Sequence, residues 1–433
     1  MKTLLRQLIV WVITLEARLV LKKYKPKIVG ITASVGKTSM KEGVALALSA
    51  SFNVYSSRKS YNSEIGMPLS ILMSESGWSS PLSWVRIVLE GLGLVLFPSD
   101  YPEWLVLELG VDHPGDMKAH VSWLKLDVAV LGRVGDMPAH LEYFDSPEAL
   151  LREKALIIKG IKTGGYFVYS ADDELVGEVA RSYSGPRISF GYLKNANVRA
   201  THERTIYHTK NKVKYPSGFS YKLDYQNEVH QLTFNDVFGA TATYATLCGF
   251  AVAMSQKLDP DLACAKISTF ASVPGRLRIL EGKKGSIIID DTYNSSPVAL
   301  SLALGHLEQI KYSKRKIAVL GDMLELGSSS PEAHRAVGEL ASEIVDKAYF
   351  VGARMKFARD AYVSKKGSDE AVSWFATSQE VGKALEYELA AGDIVLVKGS
   401  QGIRMEHVVK DIMAEPTRAS ELLVRQEKQW KVR

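Results

Sequence analysis

The stretch KIVGIT-ASVGKTS-MKEGVALALSASF, residues 27–52, restricts what this chain can become more than any other part of it. A short aliphatic run, a turn carrying glycine and lysine, and a helix-compatible stretch follow one another without a gap. That is the opening of a nucleotide-binding α/β domain. In such a turn the backbone N–H groups of Ser34, Val35, Gly36 and the helix start surround phosphate oxygens. Lys37 bridges the terminal phosphates, and the hydroxyl of Thr38, followed by Ser39, binds Mg²⁺. An ATP or GTP site is expected. The spacing departs from the usual pattern in one respect: Gly30 lies six residues before Gly36 instead of five, and Ala33 stands where a nearer loop glycine is expected.

Two further apolar strands, EWLVLEL (103–109) and DVAVLGRV (127–134), each precede a helix-compatible stretch and predict a mostly parallel sheet. Residues 186–234 alternate instead, as in YKLDY and HQLTF, and predict an antiparallel β patch on the side of that domain. Helices are expected over about 239–256 and 260–271. From residue 275 a fresh alternation begins, with strands SIIIDD, KIAVLGD, KAYFVG and DIVLVKG, which predicts a Rossmann-like domain. The expected organisation is an N-terminal helix (1–25), a central nucleotide-binding domain (26–273) with an apolar insertion at 78–102, and a C-terminal domain (274–433). At 433 residues the chain is long enough for several cores.

The formal net charge of +6 suits an anionic substrate and falls short of the basic stripes of a nucleic-acid binder. The two cysteines, Cys248 and Cys264, are not at metal-ligand spacing and make no disulfide framework, so a reducing cytoplasm is the expected compartment. In the N-terminal segment the longest uncharged run lies between Arg6 and Glu16, short of the roughly 20 residues that a spanning helix needs. Leu5, Leu8, Val12, Leu15 and Leu19 share one face of a helix there, and Leu82, Val85, Leu89, Leu92 and Leu96 recur at helical steps in the insertion. Each stripe either packs on the protein or meets a membrane surface or partner.

Single residues add chemistry. Glu108 ends a strand on the edge where loops of this kind place their site, so its carboxylate is a candidate Mg²⁺ ligand. His140 follows the next strand and is either a structural histidine or a ligand. Lys154, within ALLREKAL, has the look of a solvated surface charge.

The loop spacing and eight further blocks resemble the Mur ligase family, most of all its D-alanyl-D-alanine-adding branch. The blocks are SYNSEIGMPLSIL (60–72), ELGVDHPGDM (108–117), GDMPAHLEYF (135–144), SPEALLREKAL (146–156), PGRL (274–277), DDTYNSSP (290–297), LGDMLELG (320–327) and GDIVLVKGSQGIRME (392–406). The resemblance runs from about residue 26 to 411. It implies an ATP-driven amide ligase with two Mg²⁺ ions, held by Thr38, Glu108, His140 and a carbamylated Lys154, and Arg276 reaching the γ-phosphate. It also implies Asp291 and Asn294 at the ribose or base, and Asn62, Ser63, Lys398 and Ser400 near the substrates.

Two departures stand against the family pattern. Only about 25 residues precede the loop strand, where the family carries a UDP-gripping domain, so the uridine end is held differently or the donor has no such handle. Thr241 and Ala245 replace an expected His and Asn, which alters base recognition. The expected enzyme is a cytoplasmic monomer acting on a muramyl-tripeptide precursor and a dipeptide, with membrane contact through residues 1–25 and 78–102 as an open alternative. Rival readings are a related ligase with a different or lipid-linked donor, and a membrane-associated nucleotide-binding ATPase.

Overall fold

The computed structural model describes residues 2–57, 64–78, 80–134, 143, 144, 146–210, 213–427 and 430, and the side chains of all of these except 2–5, 147, 210 and 213. The chain opens with helix α1 (Lys2–Tyr24) and strand β1 (Lys27–Thr32). Every residue of β1 after Lys27 is buried, as a strand at the centre of a parallel sheet requires. Gly36 then takes φ +80°, a left-handed conformation that glycine adopts at no steric cost, and α2 (Lys37–Leu48) starts at the next residue.

There follow β2 (Val54–Ser56), α3 (Gly66–Ile71), α4 (Pro81–Leu96), β3 (Trp104–Glu108), α5 (Asp116–Trp123), β4 (Leu126–Leu131) and α6 (Pro147–Ala155). Next come β5 (Ile161–Ser170), α7 (Glu174–Ser182), β6 (Arg187–Gly191), β7 (Val198–Lys210), β8 (Val213–Tyr225), β9 (Glu228–Asn235), α8 (Ala240–Ser255) and α9 (Pro260–Ile267).

The nine strands form one sheet in the order β2-β3-β1-β4-β5-β6-β7-β8-β9. Neighbours from β2 to β7 run parallel, and β7, β8 and β9 pair antiparallel. The antiparallel part is therefore a continuation of the parallel sheet, and β6, inside the segment expected to be antiparallel, is still parallel. Helices α2 and α8 cover one face together. A Cβ on Gly43 would fall 2.2 Å from the carbonyl oxygen of Ala245, and one on Gly249 would fall 2.3 Å from that of Gly43. Bare backbone on both helices lets α8 press α2, and the loop ahead of it, onto the sheet.

The second sheet has β10 (Arg278–Glu281), β11 (Ile287–Asp291), β12 (Arg315–Gly321), β13 (Lys347–Val351), β14 (Val372–Phe375) and β15 (Asp393–Lys398) in the order β10-β11-β15-β12-β13-β14. All pairs are parallel except β10 with β11. Helix α10 (Pro297–Gln309) buries Leu300, Leu304 and Leu307 on one face of this sheet, while Val381, Leu385 and Val409 cover the other. This is the doubly covered, Rossmann-like arrangement that the alternation predicts.

The two apolar helices pack by other faces than the sequence stripes suggest. On α1 the buried residues are Ile13, Glu16, Ala17 and Val20, whereas Leu8, Leu15 and Leu19 of the expected stripe are exposed, as is Trp11. On α4 only Ile87 and Gly91 are buried, and Leu82, Val85, Leu89, Leu92 and Leu96 all face outward. Both helices are apolar on more than one side, so periodicity alone could not say which side meets the core. The end of α1 ties down the end of α4: Lys23 Nζ donates to the carbonyls of Leu94, Val95 and Phe97 at 2.9, 3.0 and 2.6 Å, and Tyr24 Oη donates to those of Leu94 and Phe97.

Glu16 lies at this contact against Gly91, and its Oε2 has no hydrogen-bond partner among the described residues. Burial raises its carboxyl from 4.5 to about 7. The folded state then holds a proton that the unfolded chain has lost, so this contribution to stability is full below pH 4.5 and fades as pH rises towards 7. Glu16→Gln should gain in melting temperature over the parent as pH goes from about 5 to 8. A difference between the two that does not change with pH would refute the burial of this carboxyl.

Candidate active site

The carboxyl ends of the parallel strands in the two sheets face one cleft of about 320 Å³, where α/β proteins place their ligands. From the first sheet come residues 34–38 after β1 and Glu108 at the end of β3. From the second come Asp291 at the end of β11 and Lys398 at the end of β15.

Two lysines converge behind the loop. Lys37 Nζ donates to the carbonyl of Ala33 at 2.8 Å, and Lys154 Nζ reaches the same oxygen at 3.4 Å. Lys154 is only 2% exposed, so its look of a solvated surface charge is misleading. Its helix is held in place by a cap from Ser146 to the Ala149 N–H and by Glu153, which accepts from the Met117 N–H of α5 at 2.9 Å. Burial, then the neighbouring Lys37, lowers the Lys154 amine well below the usual lysine range. Burial also lowers Lys37, against an upward pull from Glu108 and Asp112 and a further push down from Arg276.

Glu108 is 2% exposed, and neither of its carboxylate oxygens has a hydrogen-bond partner among the described residues. A buried carboxylate without donors is costly unless a cation joins it. Glu108 and Thr38 both line the cleft, so the residues present fit a hard divalent ion. Among the described residues no three His, Cys, Asp or Glu side chains gather as a cage. Such an ion would share its coordination with phosphate oxygens, as Mg²⁺ commonly does.

Arg276 crosses from the second sheet to the first. Its Nη2 donates to Thr38 Oγ1 at 3.1 Å, and its guanidinium lies 3.9 Å from the centre of the Tyr293 ring. Lys398 Nζ donates to Asp291 Oδ2 at 2.6 Å and to the Asn294 carbonyl at 3.0 Å, and the Gln401 N–H donates to Asn294 Oδ1 at 3.3 Å. Asp291, Asn294 and Lys398 thus stand together on the cleft wall.

Not every residue singled out in the sequence lines this cleft. The Ser400 hydroxyl accepts from the Leu324 N–H and donates to the Ser295 carbonyl, tying three loops together outside it, and Ser39 is buried within α2. Asn62, Ser63 and His140 lie outside the described residues. Of the two residues that replace the expected His and Asn, Thr241 lines the cleft, while Ala245 is taken up by the contact of α8 with α2. Asp112, Tyr293 and Glu325 line the cleft without having been singled out. Each sits inside a motif block already noted, but only Tyr293 is next to a residue that was chosen, Asn294.

Two family models match the chain: "Mur ligase middle domain" over residues 92–253 and "Mur ligase, glutamate ligase domain" over residues 275–401. The chain belongs to the Mur ligase family. It is similar to the UDP-N-acetylmuramoyl-tripeptide--D-alanyl-D-alanine ligase of Bacillus subtilis, 25% identical over 402 residues that cover 92% of this chain and 79% of the relative. The enzyme of that name from Escherichia coli is 27% identical over 401 residues, covering 90% and 78%. The crystal structure of MurF ligase from Thermotoga maritima in complex with ADP superimposes with a TM-score of 0.75 at 25% identity, over 93% of this chain and 83% of that one. A pseudomurein peptide ligase type C from Methanothermus fervidus shares the fold, with a TM-score of 0.60 at 18% identity over 89% and 79%.

The Asp291–Lys398 pair of this ligase is almost wholly shielded, with side chains 11% and 3% exposed. Removing one member leaves the other charge buried alone. Lys398→Met is expected to cost about 3–5 kcal/mol in unfolding experiments, and Asp291→Leu with Lys398→Met to recover most of that loss. Equal stability of the single variant and the parent would contradict this account of the cleft wall.

Proposed function

We propose that this Mur ligase uses ATP to join the amine of D-alanyl-D-alanine to the carboxylate of a muramyl-tripeptide cell-wall precursor. The observation that carries this reading is the convergence of the phosphate loop, Glu108 and Arg276 in one cleft between two sheets, in a chain that resembles dipeptide-adding ligases over nine-tenths of its length. In this reading the loop N–H groups and the start of α2 take the phosphates of ATP, with Asp291 and Asn294 at the sugar or base. The apolar side pocket beside Gly36, with Phe190, Tyr244 and Val298, suits a flat ring.

A donor carboxylate oxygen attacks the γ-phosphorus and the bond to the β–γ bridging oxygen breaks, giving ADP and an acyl phosphate. The amine nitrogen then attacks the acyl carbon, loses a proton and expels phosphate. Lys37 and Arg276 spread the charge that builds on the transferred phosphoryl group. Mg²⁺, when bound, neutralises phosphate charge, and Thr38 and Glu108 are the residues that would hold it. A second ion would fall to His140 and a carbamate on Lys154. A lysine kept neutral by burial is the form that adds CO₂: its nitrogen bonds the carbon and releases one proton, which leaves an anionic carbamate beside Lys37. The chain between Ser272 and Gly275 is the hinge on which the two sheets close to keep water from the acyl phosphate. The enzyme works as a cytoplasmic monomer on small molecules, without nucleic acid.

The test is phosphate release by the purified protein, offered tripeptide precursors with and without UDP and a panel of amines. Release should require both an acid and an amine, with D-alanyl-D-alanine the preferred amine. Lys37→Ala and Glu108→Ala should each abolish it, and Arg276→Ala should lower kcat by about 10²–10³. Near-normal turnover in the Lys37 or Glu108 variant sinks the reading.

A further inference from the structure

Helices α1 and α4 pack against each other and bury their inner sides on the same core cluster. Leu8, Trp11, Leu15 and Leu19 on α1, with Leu82, Leu89 and Leu96 on α4, are all between 41% and 83% exposed. Phe97, directly after α4, adds a further exposed ring at 66%. An outward apolar face shared by two helices is unusual on a protein that meets only water. No helix among the described residues is long and apolar enough to cross a membrane.

The charge around this face is the second observation. Residues 1–27 hold seven Lys or Arg against one acid, Glu16, a net +6 that equals the formal net charge of the whole chain. The remaining 406 residues therefore balance to zero, and the positive excess is carried by α1 and the three residues after it. Glu16 is buried, while Arg6, Arg18, Lys22 and Lys23 are exposed. The acids nearby on the α4 side are Glu90, paired with Arg86 at 3.4 Å, and Asp100. Trp11 and Leu15 of this face, with Arg6, Arg18 and Glu64, line a groove of about 520 Å³ along α1.

We propose that this face docks the ligase on an anionic lipid surface, with α1 and α4 lying in the plane of the headgroups. Apolar side chains enter the acyl boundary, Trp11 takes the interfacial place that suits an amphipathic ring, and the basic side chains meet lipid phosphates. A second copy of the chain is a poorer occupant, because it would bring a like-charged face against this one.

The surface is independent of the ligase reaction and is tested without substrates. The full chain is sedimented with vesicles of phosphatidylcholine alone or with about one quarter phosphatidylglycerol. The expected result is binding to the anionic vesicles that is lost on the neutral ones, and also at about 1 M salt, where the screening length is about 3 Å. Brominated acyl chains should quench fluorescence in the parent and much less in Trp11→Phe. Leu89→Glu with Leu92→Glu should weaken binding by about a hundredfold at an unchanged melting temperature. The proposal is overturned if the parent stays in the supernatant with anionic vesicles. It is equally overturned if light scattering shows a dimer that the Leu89→Glu, Leu92→Glu variant dissolves, which would make the face a contact between copies.

Discussion

One carbonyl oxygen, that of Ala33, draws in the side chains of two lysines, the half-buried Lys37 from the start of α2 and the buried Lys154 from α6. Two cations cannot share a dry corner at little cost, and the surroundings show how the strain is met. Burial and mutual repulsion push the Lys154 amine towards its neutral form, while the carboxylates of Glu108 and Asp112 support the charge on Lys37. The balance works only if β1 and β3 end side by side and the loop after β1 turns back over them. Their parallel register, with Ile31 beside Glu108, provides that.

The same cluster explains why two sheets are needed. Glu108 has buried oxygens that nothing described in the first sheet satisfies, and Lys37 stands close by with a lowered pKa. The second sheet brings Arg276 to Thr38, with Tyr293 stacked against its guanidinium, and closes the far wall with the Asp291–Lys398 pair. Each half thus presents charge that the other half, or a bound phosphate and cation, must complete. That incompleteness gives a physical reason why the cleft suits an anionic nucleotide with its cation.

Much of this was legible in residue order. The strand–turn–helix at 27–48 and the later alternation were readable because aliphatic runs bounded by glycine have few other places to go than a parallel sheet with helices around it. Glu108, Asp291 and Lys398 were readable for a related reason, since polar residues that end such strands fall at the sheet edge where ligands bind. Lys154 was not. Its burial depends on the Ser146 cap and on Glu153 holding α6 against α5, contacts between residues too far apart for any local pattern to show. Tyr293 likewise becomes a site residue only when Arg276 arrives above it.

The sequence by itself determined the order of strands and helices, the glycine–lysine turn after β1 and the strand-end carboxylates, because these follow from hydrophobic period and from glycine's backbone freedom. Tertiary structure alone decided which faces of α1 and α4 meet the core. Both helices are apolar on several sides, and only the neighbours they pack against could choose among them. The choice buried Ile13, Ala17, Val20 and Ile87 and left Leu8, Leu15, Leu89 and Leu96 outside.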